Sequence, residues 1–102
     1  MANEIIWSPL ALETFEGIIA YLQNKFGEVA VRRFVKSVDD KINLIASRPV
    51  MFRPTGIKEN TFITSIRKKA TLTYRYFPDQ NRIELVVFWG MQNPDNNPLV
   101  EK

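Results

Sequence analysis

The chain has 102 residues, the length of one domain, and its 45% hydrophobic and 25% charged residues are ordinary for a folded globular protein. It contains neither cysteine nor histidine. This excludes disulfide frameworks, thiolate metal sites and cysteine nucleophiles, and it removes the side chain best suited to proton transfer near neutral pH. We therefore expect no metal and no cofactor. No apolar run approaches the roughly 20 residues that span a bilayer, and the N-terminus does not resemble a secretory signal. We expect a cytoplasmic protein with no membrane partner.

Positive charge is concentrated in the middle of the chain. The formal net charge is +3, with a sequence pI of about 9.4. Residues 48–69 contain six cations and a single acidic residue, Glu59. The cations are Arg48, Arg53, Lys58, Arg67, Lys68 and Lys69. This is where a polyanion or an acidic peptide is expected to bind, and the equally weighted alternative is a set of solvated loop cations.

The chain opens with a short strand and an amphipathic helix. Residues 3–7 are apolar and β-prone, which predicts the strand. Ser8 is a favourable N-cap and Pro9 suits the first helical position, so the helix is predicted to begin there. Its apolar residues recur at three- and four-residue spacing up to about Lys25, and Gly27 ends it.

A second helix is predicted from about residue 28 to residue 47, again from the spacing of its apolar residues. The break between the helices is so short that they must be antiparallel neighbours, which predicts a helical hairpin. Pro49 and Pro54 then interrupt regular structure. Residues 47–60 are predicted to form the longest loop, with part of its apolar middle, Val50, Met51 and Phe52, packed on the core.

Three strands are predicted over residues 61–67, 70–77 and 82–89, because β-prone residues dominate there and turn residues separate them. The four-residue turn at 78–81 sets the register of the last hairpin. The order β-α-α-β-β-β predicts an α+β fold with the helical hairpin packed on one face of an antiparallel sheet.

The register of the last hairpin divides the sheet into two faces. The face expected to pack on the helices is almost wholly apolar and carries Ala70, Leu72, Tyr74, Tyr76, Ile83, Leu85, Val87 and Trp89. The other face carries Thr71, Thr73, Arg75, Phe77, Arg82, Glu84, Val86 and Phe88, and Arg75 and Glu84 are expected to form a cross-strand salt bridge. Three residues of this second face, Phe77, Val86 and Phe88, are apolar. A solvent-facing sheet surface of this kind is a candidate partner site.

The preceding hairpin allows two registers. With residues 68–69 as the turn, Ile66 lies on the partner-facing side of the sheet. With residues 68–70 as the turn, Ile66 moves to the core side and Arg67 joins Arg75 beside the candidate partner site. The second register is preferred because it keeps Arg67 in water.

Spaced residues along nearly the whole chain form a pattern that occurs in a known family. They are Trp7, Ala11, Phe15, Ile18 and Tyr21, then Phe34, Ile42, Ile45, Pro49 and Gly56, then Arg67, Tyr74 and the closing Val-Val-Phe-Trp-Gly-Met-Gln-Asn-Pro of residues 86–94. The chain resembles the toxins of the RelE/ParE superfamily, which belong to type II toxin–antitoxin modules, and within them the ParE-like subgroup. The resemblance implies one toxin domain over residues 1–94, followed by a polar tail over residues 95–102.

The chain also departs from the family pattern at two places. The subgroup carries Asp-x-Arg before Gln-Asn-Pro, whereas this chain has Gly90-Met91 there and is one residue shorter. Relatives often carry an arginine early in the second strand, where this chain has Phe62. Both differences remove cations from the face on which RelE-like members place catalytic groups.

The resemblance implies a ParE-like toxin of a plasmid-stabilisation type, which inhibits growth by binding a bacterial target, expected to be DNA gyrase. A cognate antitoxin would neutralise it. The expected assembly is either a homodimer or a toxin–antitoxin hetero-oligomer. The implied alternative is a RelE-like, ribosome-dependent mRNA endonuclease, and a further alternative is an inactive relative that only binds its antitoxin.

The candidate residues differ between these functions. For partner binding they are Arg67, Lys68, Lys69, Arg75, Phe77, Val86, Phe88, Gln92 and Asn93. A nuclease without histidine would have to rely on Lys58, Arg67 and Arg75, with a tyrosine as the proton carrier. We favour binding over catalysis because the predicted register places both strand tyrosines, Tyr74 and Tyr76, in the core.

Overall fold

A computed structural model of the chain describes residues 3–56 and 58–90. Its elements are β1 (Glu4–Trp7), α1 (Pro9–Phe26), α2 (Glu28–Ser47), β2 (Arg53–Pro54), β3 (Thr61–Ile66), β4 (Ala70–Phe77), a 3₁₀ turn (Pro78–Gln80) and β5 (Arg82–Gly90). The strands form one five-stranded sheet in the order β1-β5-β4-β3-β2. Neither of the described helices is long and apolar enough to cross a membrane.

The predicted α+β fold, a helical hairpin on one face of a sheet, is confirmed. The sequence pattern does not predict two details. The sheet is mixed rather than antiparallel, because β1 pairs in parallel with β5; parallel neighbours need a long crossover, and most of the chain lies between these two strands. The loop after α2 also contributes the two-residue strand β2, which pairs with β3.

Local chemistry sets the ends of the helical hairpin as the sequence predicts. The Ser8 hydroxyl accepts the Ala11 backbone N–H at 2.9 Å, and Pro9 occupies the first turn of α1. Gly27 ends α1 with φ of +90°, and its N–H donates to the carbonyls of Leu22 and Gln23 at 3.1 Å each. A side chain is disfavoured at this φ, so glycine permits the sharp reversal into α2.

The core lies between the helical hairpin and the sheet. Its buried residues are Ala11, Ile18, Leu22, Phe34, Val38 and Ile45 from the helices, and Phe62, Ile66, Ala70, Leu72, Tyr74, Ile83, Leu85 and Phe88 from the strands. An aromatic group marks the start of α1, where the Phe88 ring lies 5.4 Å from the ring centroids of Trp7 and Phe15. The predicted core residues of β4 and of the first half of β5 are therefore confirmed.

The register of the last hairpin changes partway along β5. Pairing follows the prediction from Phe77 opposite Arg82 as far as Tyr74 opposite Leu85. A β-bulge follows, so that Val86 has no partner on β4 and the pairing from there to Gly90 is displaced by one residue.

The bulge lies where β5 runs beyond β1 and meets the beginning of α1. The Ser8 hydroxyl donates to the Val86 carbonyl at 2.9 Å, and the Thr14 hydroxyl accepts the Phe88 N–H at the same distance. Two helix side chains thus bind backbone groups of β5 beside the irregular ladder. The bulge is stabilised because these polar groups are not left unpaired.

The predicted faces are consequently wrong for the last residues of β5. Phe88 is only 2% exposed and belongs to the core, whereas Val87 and Trp89 lie on the face away from the helices. A single extra residue reverses the in-and-out alternation of every residue after it. No glycine or proline within β5 before this point signals the bulge in the sequence.

Candidate functional site

The face of the sheet opposite the helices is the first candidate surface, and we call it the outer face. Its described members around the middle of the sheet are Ile6, Ile63, Thr71, Thr73, Arg75, Phe77, Arg82, Glu84, Val87 and Trp89. Most of these side chains are half-buried, while Thr73 and Val87 are buried. The outer face is thus neither a packed core nor a fully solvated surface.

Two arginines of the outer face stack on one aromatic ring. The Arg75 and Arg82 guanidinium carbons lie 5.0 Å and 5.4 Å from the Phe77 ring centroid. Stacking holds a guanidinium group in place and leaves its planar set of N–H donors free for a carboxylate or a phosphate. The beginning of β5 and the end of β4 thus present two preorganised cations around an apolar centre.

The predicted ion pair between Arg75 and Glu84 is wrong, although the two residues are cross-strand partners. Between residues of the described ranges, the only ion pair joins Lys36 and Asp40 at 3.3 Å on α2. Arg75 packs over Phe77 because that ring lies two residues along the same strand and on the same face. Glu84 instead helps Phe77 to line a hollow of about 220 Å³ on the outer face.

The remaining predicted members of this surface have different positions. Val86 is half-buried at the bulge, so its side chain remains partly accessible. Phe88 is removed from the surface because the bulge turns it into the core. Gln92 and Asn93 lie outside the described residues, as does the predicted tail.

The turn between β3 and β4 comprises Arg67, Lys68 and Lys69, because Ile66 lies opposite Ala70. Neither predicted register is right, but the preferred one correctly placed Ile66 on the core side. The Lys69 N–H donates to the Ile66 carbonyl at 2.9 Å, and both intervening residues are left-handed, with φ of +52° and +58°. Such positions favour glycine or asparagine, and a longer side chain there costs about 1–2 kcal/mol.

Arg67 does not lie beside Arg75 on the outer face, so this prediction is wrong. Thr61 is opposite Arg75, whereas Ile66 is opposite Ala70 at the other end of the same hairpin. Five residues of strand separate the two ends, or about 17 Å at 3.3 Å per residue. In the turn, Arg67 lies far from Phe77 and its two stacked arginines and close to the helices.

The second candidate surface lies where this turn meets the junction of α1 and α2, and we call it the hairpin-tip surface. Arg67 and Lys69 line a cleft of about 350 Å³ there with Phe26, Val29, Ala30, Arg33 and Phe34. The Lys69 ammonium nitrogen lies 5.6 Å from the Phe26 ring centroid. The sequence predicts Arg67 and Lys69 as binding residues but places neither against the helical hairpin.

The same turn also borders the outer face, at the end of that face opposite Phe77. Lys68 and Lys69 line a hollow of about 340 Å³ with Trp89, Ser65, Ala70, Thr71 and Gly90. The indole Nε1 of Trp89 is buried and has no hydrogen-bond partner among residues 3–56 and 58–90. Lys69 therefore connects the two candidate surfaces.

The candidate nuclease residues do not converge on one site. Lys58 is exposed and lies three residues before β3, hence near the Arg75 end of the hairpin and far from Arg67. Tyr74 is fully buried, and its hydroxyl donates to the Pro49 carbonyl at 2.6 Å. Burial raises the pKa of Tyr74 above its ordinary value of 10.0, so the phenol stays neutral. Within the described ranges, no group of three or more histidine, cysteine or acidic residues could hold a metal ion.

Comparison with solved structures shows the fold of bacterial toxins. The chain resembles a structure titled as the chromosomal ParDE toxin–antitoxin system of P. aeruginosa, with a TM-score of 0.71 and 10% identity over 87% of this chain and 96% of that one. It also resembles the isolated E. coli RelE toxin (TM-score 0.62, 12% identity, 87% and 84% covered) and the YoeB/ParE toxin of Agrobacterium tumefaciens (0.62, 16%, 85% and 96%). At these identities the likeness shows the fold.

The sequence itself places the chain in a particular family. The family model described as "ParE toxin of type II toxin-antitoxin system, parDE" matches residues 5–93. The chain therefore belongs to the ParE toxin family, and the resemblance stated from its motifs is confirmed. None of the curated proteins matches the chain.

Proposed function

We propose that this ParE-family toxin inhibits growth by binding a bacterial protein, namely DNA gyrase, and that a cognate antitoxin neutralises it by covering the outer face. Membership of the ParE family supports the toxin role. Among the structural neighbours, the RelBE2 assembly of Mycobacterium tuberculosis and the intact E. coli RelBE assembly are both titled toxin–antitoxin complexes. These complexes support an antitoxin partner for this chain as well.

We favour binding over RNA cleavage because the candidate cations lie far apart in the structure. Cleavage at a phosphodiester needs a base, an acid and transition-state cations within hydrogen-bond reach of one substrate position. Arg67 and Arg75 lie at opposite ends of one hairpin, and Tyr74 is buried with its hydroxyl bound to Pro49. Arg67 and Arg75 are therefore too far apart to contact the same reacting phosphate.

The outer face suits the antitoxin because it combines apolar area with held cations. Phe77 and the half-buried Trp89 offer apolar contact on this face, Val86 is partly accessible at the bulge, and the stacked Arg75 and Arg82 offer donors to carboxylates. Interface centres are typically enriched in aromatic residues and arginine. An antitoxin segment with apolar anchors and flanking acids would match this pattern.

Two assays on the purified chain test the proposed mechanism. We expect inhibition of gyrase in a supercoiling assay and intact mRNA, read by primer extension, after the chain is added to translating ribosomes. Addition of the antitoxin encoded beside the toxin gene should relieve the inhibition. Codon-specific cleavage in the ribosomal A site, lost in Arg67→Ala or Arg75→Ala and retained in the control Arg48→Ala, would instead support the endonuclease. Growth without arrest, together with antitoxin binding, would identify an inactive relative.

A further inference from the structure

The charges on the outer face alternate in sign from strand to strand. Glu4 on β1 lies opposite Arg82 on β5, and Glu84 on β5 lies opposite Arg75 on β4. None of these four residues forms an ion pair within the described part of the chain. This end of the outer face therefore has no net charge, although the chain as a whole carries +3.

The carboxylate of Glu84 borders an open hollow. The hollow has a volume of about 220 Å³ and is lined by Ile6, Phe77, Arg82 and Glu84. Its apolar members remain accessible, since Ile6 is 37% exposed and Phe77 is half-buried. An acid beside apolar carbon suits the guanidinium group and alkyl stem of an arginine.

The outer face is complementary to itself under a twofold rotation. With the axis parallel to the strands and midway between β4 and β5, each residue of β4 faces the residue of a second copy's β5 that is its own cross-strand partner. Arg75 of each copy then meets Glu84 of the other, and Phe77 of each copy meets Arg82 of the other. One ion pair and one contact between a cation and an aromatic ring are thus each made twice.

We propose that the free chain forms a homodimer in which two outer faces pack together about this axis. The Arg75 guanidinium of each copy donates to Glu84 of the other at the edge of the hollow, while the stack on Phe77 holds it in place. Sheets that pack face to face keep their strands within about 30° of each other, which this axis allows.

The charges favour a second copy as the occupant of this face in the isolated chain. An acidic segment pairs with Arg75 and Arg82 but leaves Glu84 without a cation, whereas a second copy supplies one. A nucleic acid is disfavoured because its phosphates would meet the two acids Glu4 and Glu84.

The size of the face makes this dimer reversible. Four strands about 4.8 Å apart, each with six residues of about 3.3 Å, give the face sides of roughly 20 Å. A contact of this size is at the low end for specific interfaces, so we expect the dimer to dissociate on dilution. The inference concerns the free chain and does not rest on the proposed function. It adds that an antitoxin on the outer face and a second copy exclude each other.

Charge reversal at the two central residues tests the proposal. Sedimentation velocity of the full chain over a concentration series measures the monomer–dimer equilibrium. We expect Arg75→Glu and Glu84→Arg each to weaken dimerisation by about tenfold or more, because each variant brings like charges together twice. The controls Arg48→Glu and Glu16→Arg make the same charge changes at exposed positions outside the outer face and should stay within about twofold of the wild type.

A mixture of the two variants gives the sharpest result. When Arg75→Glu is mixed with Glu84→Arg, both reciprocal pairs again join opposite charges, so a heterodimer should form within about threefold of the wild-type affinity. The double variant Arg75→Glu/Glu84→Arg should dimerise with itself for the same reason. Melting curves show whether each variant is folded, and glutamine replaces a reversed charge that prevents folding, with dimerisation then weakened about threefold.

Four results would overturn the proposal. A wild-type chain that stays monomeric at about 1 mM would exclude even a weak specific dimer. Equal weakening by Arg75→Glu and its control would show an effect of net charge alone. Unweakened dimers in both single variants would place the interface elsewhere, and no recovery on mixing would exclude the reciprocal pair. Failure of gyrase inhibition or of antitoxin binding, with the dimer confirmed, would contradict only the proposed function.

Discussion

The two faces of the sheet are made by the same strands and yet differ in kind. On the covered face, Leu72, Tyr74, Ile83 and Leu85 are 0% exposed and pack against the helical hairpin. On the outer face, the alternate residues include the half-buried Arg75, whose guanidinium group is held by an aromatic ring rather than by a core. We therefore expect stability and partner binding to depend on alternating residues of one strand, so that single substitutions separate the two properties.

The largest expected effect tests where the bulge divides the faces. Phe88→Ala removes a buried ring from the aromatic group at the start of α1 and should lower the free energy of unfolding by about 3–5 kcal/mol. Trp89→Ala, one residue further on, should cost clearly less because Trp89 lies half-buried on the outer face. Urea unfolding of both variants measures the difference. If Trp89→Ala costs as much as Phe88→Ala, the bulge does not lie where the structure has it.

A smaller loss is expected at the buried phenol of the covered face. Tyr74→Phe leaves the Pro49 carbonyl without its donor and should cost about 1–3 kcal/mol. Burial raises the folded-state pKa of Tyr74, so above pH 10 the unfolded chain loses this proton first and stability falls as pH rises. Unfolding curves at neutral and alkaline pH should show this loss in the wild type and a weaker one in Tyr74→Phe. Identical pH dependence in both proteins would contradict the assignment.

Ser8→Ala should lower the free energy of unfolding by about 0.5–2 kcal/mol, because Ser8 connects α1 to the bulge. This substitution removes both the N-cap of α1 and the donor to the Val86 carbonyl. Ser47→Ala is the matched control, since its hydroxyl donates only within its own helix, to the Asn43 carbonyl. Thermal melting should separate the two variants, and equal melting temperatures would show that Ser8 does not stabilise the bulge.

The smallest effect has the opposite sign and concerns the turn between the surfaces. Lys68→Gly relieves a left-handed backbone at φ of +58°, and after the entropic cost of glycine it should stabilise the chain by about 0.5 kcal/mol. Lys58→Gly, in the loop before β3, is the control and should not stabilise. A destabilised Lys68→Gly variant would show that the lysine side chain contributes more to folding than its backbone costs.

Much of this fold follows from local signals in the sequence. Ser8-Pro9 and Gly27 fix the helical hairpin because capping and backbone freedom act within a few residues. The turn at residues 78–81 fixes the first pairs of the last hairpin for the same reason. The bulge at Val86 is different, because it depends on Ser8 and Thr14, more than 70 residues away in the chain. Periodicity carries no trace of such a contact.

The candidate site is predicted less completely for the same physical reason. The basic residues of the β3–β4 turn are visible in the sequence, but their position depends on a left-handed turn that lacks glycine and asparagine. This turn brings Arg67 to Arg33 and Val29 instead of to Arg75. Phe26 follows the apolar spacing of α1 and so resembles a core residue, although it is exposed at the hairpin tip. The sequence patterns around Arg67 and Phe26 therefore do not reveal the surface that the β3–β4 turn and the helical hairpin form together.

One measurement tests most directly whether the outer face is the antitoxin surface. The affinity of the full chain for the antitoxin encoded beside its gene is compared among the wild type, Arg75→Glu and the control Arg48→Glu, with a melting curve for each. We predict that Arg75→Glu weakens the complex by about tenfold or more. The lost stack on Phe77 and the repulsion from Glu84 should cost about 1–2 kcal/mol of unfolding free energy, which leaves the chain folded. Wild-type affinity in Arg75→Glu, with loss of binding in Arg33→Glu, would place the antitoxin at the hairpin tip and contradict the account.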